Sequence, residues 1–140
     1  MVIKIIRKIA RVLGFGTICL CSNLCFSGEM PAGASVQSGS VNISGTNTDH
    51  MIIDQSTNKS IINWNSFSIH KQGQVDFNMP SSASSSLNRV TGSTPSSIAG
   101  KLNSNGKVLI INPNGVVITK EGVVKTGSFT ASTLDINNQD

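Results

Sequence analysis

The sequence predicts an all-β domain built from many short strands, and three observations carry that reading. Short apolar clusters recur along the chain, most of them rich in β-branched residues and many alternating with period two. They are Val41-Asn-Ile43, Met51-Ile-Ile53, Ile61-Ile-Asn-Trp64, Phe67-Ser-Ile69, Val75-Asp-Phe77, Val108-Leu-Ile-Ile111, Val116-Val-Ile118, Val123-Val124 and Leu134-Asp-Ile136. Turn-forming residues fill the intervals: Gly45, Asn58, Gly73, Pro80, Gly92, Pro95, Asn105-Gly106, Pro113-Asn114-Gly115 and Gly122. No long window between Val41 and Asp140 holds a helical apolar period, which argues against a long helix.

Each element follows from its residues. Gly28 to Ser40 is rich in Gly, Ser and Ala and is expected to be a loose lead-in. Asn105-Gly106 suits a tight turn that needs positive φ. In Pro113-Asn114-Gly115 the proline fixes φ at the first corner. Residues 96–102 could form one helical turn, weakened by Gly100. Strands this short and this closely spaced fit either a sandwich of hairpins or a parallel β-helix. The abundant Ser, Thr and Asn favour the coil, since side chains stacked at equivalent turns can bond between coils.

The first eleven of the 140 residues hold Lys4, Arg7, Lys8 and Arg11 with no acid, and Val12 to Phe26 is an apolar stretch that ends in small residues. This is the pattern of a helical signal peptide over residues 1–27, cleaved after Ser27, with Ala34 as the later alternative. The apolar run is short for a membrane span of about 20 residues. Cys19, Cys21 and Cys25 all lie inside it, so the mature chain from Gly28 has no cysteine and no disulfide. None of the three is preceded by the triplet of a lipoprotein site.

From Gly28 onward the bases are Lys59, Lys71, Arg89, Lys101, Lys107, Lys120 and Lys125, balanced by Glu29, Asp49, Asp54, Asp76, Glu121, Asp135 and Asp140. The net charge of +4 therefore belongs to the signal peptide. Scattered, balanced charge argues against a nucleic-acid surface. His50 and His70 have no cysteine or spaced histidine to complete a metal site, so neither metal nor cofactor is expected. Ser132 and Asp135 have no histidine base nearby, and the carboxylates form no close pair, Asp49 and Asp54 being the nearest, so no enzyme is expected. The four rings of the mature chain, Trp64, Phe67, Phe77 and Phe129, are about what a core needs. That weakens the alternative of a stand-alone adhesive or carbohydrate-binding β-domain.

Six blocks in order carry a resemblance: Ile-Ile-Asn-Trp-Asn-Ser-Phe-Ser-Ile at 61–69, Val-Asp-Phe at 75–77, Leu-Asn-Arg-Val-Thr-Gly at 87–92, Ser-Ile-Ala-Gly-Lys-Leu at 97–102, Asn-Gly-Lys-Val-Leu-Ile-Ile-Asn-Pro-Asn-Gly at 105–115 and Ala-Ser-Thr-Leu-Asp-Ile at 131–136. Together they resemble the N-terminal two-partner secretion domain of filamentous haemagglutinins, large haemolysins and contact-dependent toxins, over residues 28–140. The resemblance implies a right-handed parallel β-helix. It also implies export through the Sec translocon and the periplasm to the cell surface or the medium. The partner it implies is an outer-membrane transporter, a β-barrel with periplasmic binding domains, and the cargo would be an adhesin, haemolysin or toxin. A cysteine-free chain suits passage through a narrow pore.

The family's Asn-Pro-Asn motif falls on Asn112, Pro113 and Asn114, followed by Gly115, the candidate for transporter recognition. Trp64, Phe67, Asn88 and Arg89 match a second part of the pattern, as core residues or secondary contacts, with Asp76 or Asp135 as possible anchors for Arg89. The family's domain usually runs well beyond these blocks, so the domain is expected to be cut short at its C-terminal end: a fragment, a gene remnant or a free-standing relative.

Overall fold

A computed structural model of the chain describes residues 29–134. Residues 1–28, which include the expected signal peptide, and residues 135–140 lie outside the described part. The described residues form strands and turns without a helix. The strands are β1 (Ser35–Ser38), β2 (Val41–Ser44), β3 (His50–Gln55), β4 (Lys59–Trp64), β5 (Gln74–Asn78), β6 (Ser85–Val90), β7 (Ser96–Ile98), β8 (Lys101–Ser104), β9 (Lys107–Ile111), β10 (Val116–Ile118), β11 (Val123–Lys125) and β12 (Ser128–Ser132).

They wind into a parallel β-helix of about four turns. One sheet runs β1-β4-β6-β9-β12, a second β11-β8-β5-β3-β2, and the third pairs β10 with β7. A single bridge from Ile69 to Ile98 extends the third sheet by one coil. From β3 onward every pairing is parallel, and the register is unbroken: Lys59 pairs with Ser85, Ser85 with Lys107, and Lys107 with Ser128. Period-two alternation therefore puts like positions of successive coils in columns. Met51, Val75, Leu102 and Val124 make one inward column, and Ile69, Ile98 and Ile118 another. These columns are the core, buried through Met51, Ile53, Ile62, Trp64, Phe77, Leu102, Val108 and Ile110.

Three sequence expectations need correction. The lead-in is ordered from Ala32. That residue bridges Ser66 antiparallel, β1 runs antiparallel to β4, and β2 runs antiparallel to β3. The segment is a reverse-running cap over all three faces of the first coil, because an open sheet end there would leave backbone groups unpaired. Residues 96–102 are strands β7 and β8 around Gly100, not a helical turn. Ser96 and Ile98 face inward from β7 and Leu102 from β8, and the two-residue step from Ser96 to Ile98 is that of an extended chain. Asn105-Gly106 turns without positive φ. Gly106 is needed there for close approach, since a Cβ would lie 2.5 Å from the Met79 sulfur and 2.7 Å from the Ser84 carbonyl. The Asn105 side chain acts as a surrogate strand, accepting from Met79 N at 2.8 Å and donating to Met79 O at 2.7 Å.

Candidate functional site

The corner at 112–115 joins β9 to β10. Gly115 N donates to Asn112 O at 2.9 Å, closing the turn, and Asn112 Oδ1 accepts from Asn114 N at 2.9 Å inside it. Gly115 sits at φ 114°, a backbone state that favours glycine, and its missing Cβ would meet nothing within 4 Å. Asn112 itself is fully buried. Its Nδ2 donates to Thr94 O at 2.9 Å and to Ser96 Oγ at 3.0 Å, in the equivalent corner of the preceding coil. Asn114 is exposed, with Nδ2 donating to Gly92 O at 3.0 Å and to Asn112 Oδ1 at 3.1 Å. Pro113 is exposed beside it. The four residues are brought together as one corner, latched to the coil beneath by two amides. Only Pro113, Asn114 and part of Gly115 reach solvent.

The second set lies one and two coils earlier. Trp64 and Phe67 are buried and meet edge to face, with ring centroids 5.3 Å apart and planes at 82°, a favoured aromatic geometry. The indole Nε1 donates to Asn88 Oδ1 at 2.9 Å. Asn88 is buried and donates in turn to Ser86 O, Ser86 Oγ and Leu109 O, each at 3.3 Å. The chain of bonds continues from Ser86 Oγ to Ser60 Oγ at 3.0 Å and from Ser60 Oγ to Gln55 Oε1 at 2.7 Å. A polar thread thus runs through the core of the first coils with its members satisfied, as burial requires. Arg89, next to Asn88, points to the outer face of the same sheet and is half-buried. Asp76 lies on the second sheet and spends its carboxylate on other groups, and Asp135 is outside the described residues.

Sequence reasoning missed the outer face of that second sheet. His50 Nε2 lies 2.6 Å from Asp76 Oδ2, and His70 Nε2 lies 3.0 Å from Asp49 Oδ1. Each bridge ties the first coil to the second. Asn103 Nδ2 adds a bond to Asp76 Oδ1 at 2.8 Å, and Gln74 Nε2 another to Oδ2 at 2.9 Å. Partial burial pushes the Asp76 carboxyl up. The bonds from His50, Asn103 and Gln74, with the charge of His50, outweigh that and hold it below the usual carboxylate range. The register places His50 beside Gln74 and Asp76 beside Asn103, a proximity that spacing along the chain hides. Among the described residues no group of three or more metal-ligating side chains comes together.

A solenoid with a reverse-running cap and amide-latched corners defines the class of the protein, and the comparisons give the family. The profile of the TPS (two-partner secretion) secretion domain matches residues 28–140, and the chain belongs to that family. Exoproteins of this family are secreted across the outer membrane. The chain is 43% identical over 108 residues to the heme/hemopexin-binding protein of Haemophilus influenzae strain Rd, covering 77% of this chain and 12% of that protein. A second Haemophilus influenzae heme/hemopexin-binding protein is 41% identical over 98 residues, covering 70% of this chain and 11% of its own. The chain thus spans about an eighth of the length of these relatives. Among solved structures, the HMW1 secretion domain from Haemophilus influenzae superposes with a TM-score of 0.73 at 39% identity, over 78% of this chain and 29% of that one.

Proposed function

We propose that this domain is the address by which a cognate outer-membrane β-barrel transporter recognises a larger exported polypeptide, and that the corner at 112–115 is the part it contacts. The observation that carries the reading is the division of labour within the corner. The buried Asn112 holds the turn rigid, while Pro113 and Asn114 stand exposed on it. A pre-ordered turn binds with little further loss of entropy, which suits a transient recognition step. Trp64, Phe67 and Asn88 support the coil from inside, and Arg89 is the member of that set that reaches the surface. Delivery through the Sec translocon, directed by residues 1–27, and passage through the periplasm complete the route. The cargo activity, adhesive, haemolytic or toxic, resides outside this domain. The role is targeting, without catalysis.

The reading is tested by fusing the domain to a secreted reporter and co-expressing it with the transporter. Pro113→Ala with Asn114→Ala should lower secretion while the unfolding free energy changes by no more than about 1 kcal/mol. Asn112→Ala should lower both, and Lys120→Ala, in the exposed turn at the other end of β10, neither. Undiminished secretion of the Pro113, Asn114 double variant would sink the proposal. An adhesive or carbohydrate-binding reading has less support, because Trp64, Phe67 and Phe77 are buried and Phe129 is half-buried.

A further inference from the structure

We infer that Asn105 and Asn114 are self-modification sites: each loses its side-chain amide to water while the chain is unfolded and is protected once its coil has formed. The chain has two Asn-Gly steps, at 105–106 and 114–115. One falls between β8 and β9, the other between β9 and β10. Asparagine before glycine is the most labile amide of a polypeptide, because no Cβ shields the backbone nitrogen that follows it. That nitrogen attacks the asparagine Cγ. The N–Cγ bond forms as the Cγ–Nδ2 bond breaks, and the amide leaves as ammonia with the proton of the attacking nitrogen. Water then opens the cyclic imide at either carbonyl, giving aspartate or isoaspartate. Water is consumed and ammonia released, and no oxidant takes part.

The fold closes this reaction at both steps. The attack needs a free glycine N–H and a side chain able to turn its Cγ onto it. Gly115 N is bonded to Asn112 O at 2.9 Å, and Asn114 Nδ2 to Gly92 O at 3.0 Å and Asn112 Oδ1 at 3.1 Å. Gly106 N is bonded to Ser104 Oγ at 2.9 Å, and the Asn105 side chain spans Met79 N and Met79 O. Gly92 and Met79 follow β6 and β5, the strands beneath β9 and β8, so both amides latch one coil to the coil before it. Deamidation turns the donor of each latch into a carboxylate facing a carbonyl oxygen, and isoaspartate also lengthens the main chain at the corner. In one respect the inference rests on the proposed function: a chain kept unfolded on its way to the transporter loses, with time, the corner that the transporter is to contact.

The test uses the chain from Gly28 to Asp140, incubated at neutral pH either folded or in guanidinium chloride, then mapped by peptide mass spectrometry with enzymatic detection of isoaspartate. In denaturant both asparagines should convert at similar rates. In the folded chain both should convert at least about tenfold more slowly, because the reaction must wait for a corner to open. Gly115→Ala should slow conversion of Asn114 in denaturant and leave Asn105 as in wild type. Chain aged in denaturant and then refolded should unfold at a lower midpoint than chain refolded at once. Conversion of Asn114 as fast in the folded as in the unfolded chain overturns the proposal, and so does its absence in denaturant. An unchanged midpoint after ageing overturns the role of the amides as latches. None of these readouts involves a transporter, so they stand or fall separately from the recognition reading, which the secretion assay tests.

Discussion

The two ends of this solenoid are built from different materials. At the N-terminal end, the first coil lies under a reverse-running cap and is stitched to the second by Trp64, Asn88, Ser86, Ser60 and Gln55 inside and by two His–Asp bridges outside. At the C-terminal end, the last coil has an apolar floor of Phe129 and Val124 on the core, and among the described residues no strand is stacked beyond it. Backbone bonds tie it to the coil before, among them Val123 N to Gly100 O, Gly127 N to Gly106 O and Asn112 N to Ser132 O, each at 2.9 Å. In a stacked architecture, stability is close to a sum of coils and their interfaces. The first two coils should therefore set the global stability and the last should open first. Cutting Trp64 is the strongest way to break the contrast. Trp64→Ala removes a buried ring and leaves Asn88 Oδ1 without its donor. The expected loss is about 3–5 kcal/mol in denaturant unfolding. Phe129→Ala, at the half-buried end, should lose well under half of that.

Hydrogen exchange sharpens the comparison without mutation. Amides of β4 and β6 should exchange only through global unfolding. Those of β10, β11 and β12 should exchange by local opening at a cost lower by at least about 2 kcal/mol. Asn112→Ala comes next in size. It leaves the buried Ser96 hydroxyl and the part-buried Thr94 O and Asn114 N without their Asn112 partner, for a loss of about 1–3 kcal/mol. That loss should appear as faster exchange in β10 and β12, with β3 and β4 unchanged. Uniform acceleration across all coils would show that the two ends are not energetically separate. Gly115→Ala is smaller again. The missing Cβ has open space, so the cost of about 1 kcal/mol is conformational, from φ 114° alone.

These contrasts were unevenly legible in the sequence. The strands were plain, because β-branched clusters with turn residues between them leave little else for the chain to be. The stacking of polar side chains at corners was also foreseeable, and Asn114 on Gly92 and Asn105 on Met79 are such contacts. The cap was not. Ser35-Val-Gln-Ser38 has one apolar residue in four and no buried position, so it carries no alternation. Its strand state comes from the open backbone edge of β4. The bridges His50 with Asp76 and His70 with Asp49 were hidden for a related reason. Partners more than twenty residues apart meet only once the coil register is known. At the corner, the four residues were identifiable as a turn. That Asn112 points inward follows from β9 carrying its alternation through 108, 110 and 112, while Asn114, of the same parity, points outward because the turn closed by Gly115 N and Asn112 O breaks the alternation; both need the strand boundaries.

The smallest expected effect concerns the outer face of the second sheet, where the first two coils meet through a titratable group. Asp76 has a carboxyl held below its unfolded value by bonds that the charged form makes to His50, Asn103 and Gln74. A group depressed in the folded state contributes stability that is fully present above its unfolded pKa of about 4 and is lost as pH falls through the folded value. Asp76→Asn should therefore destabilise the domain modestly at neutral pH. The difference from wild type should shrink once the pH drops below about 4, since the wild-type carboxylate is then protonated as well. The measurement is the denaturant midpoint of both chains from neutral pH down to the acid limit of folding. If the Asp76→Asn chain ran parallel to wild type over the whole pH range, the stitching of the first two coils would owe nothing to ionised Asp76. The polar thread around Trp64 would then carry the N-terminal advantage alone.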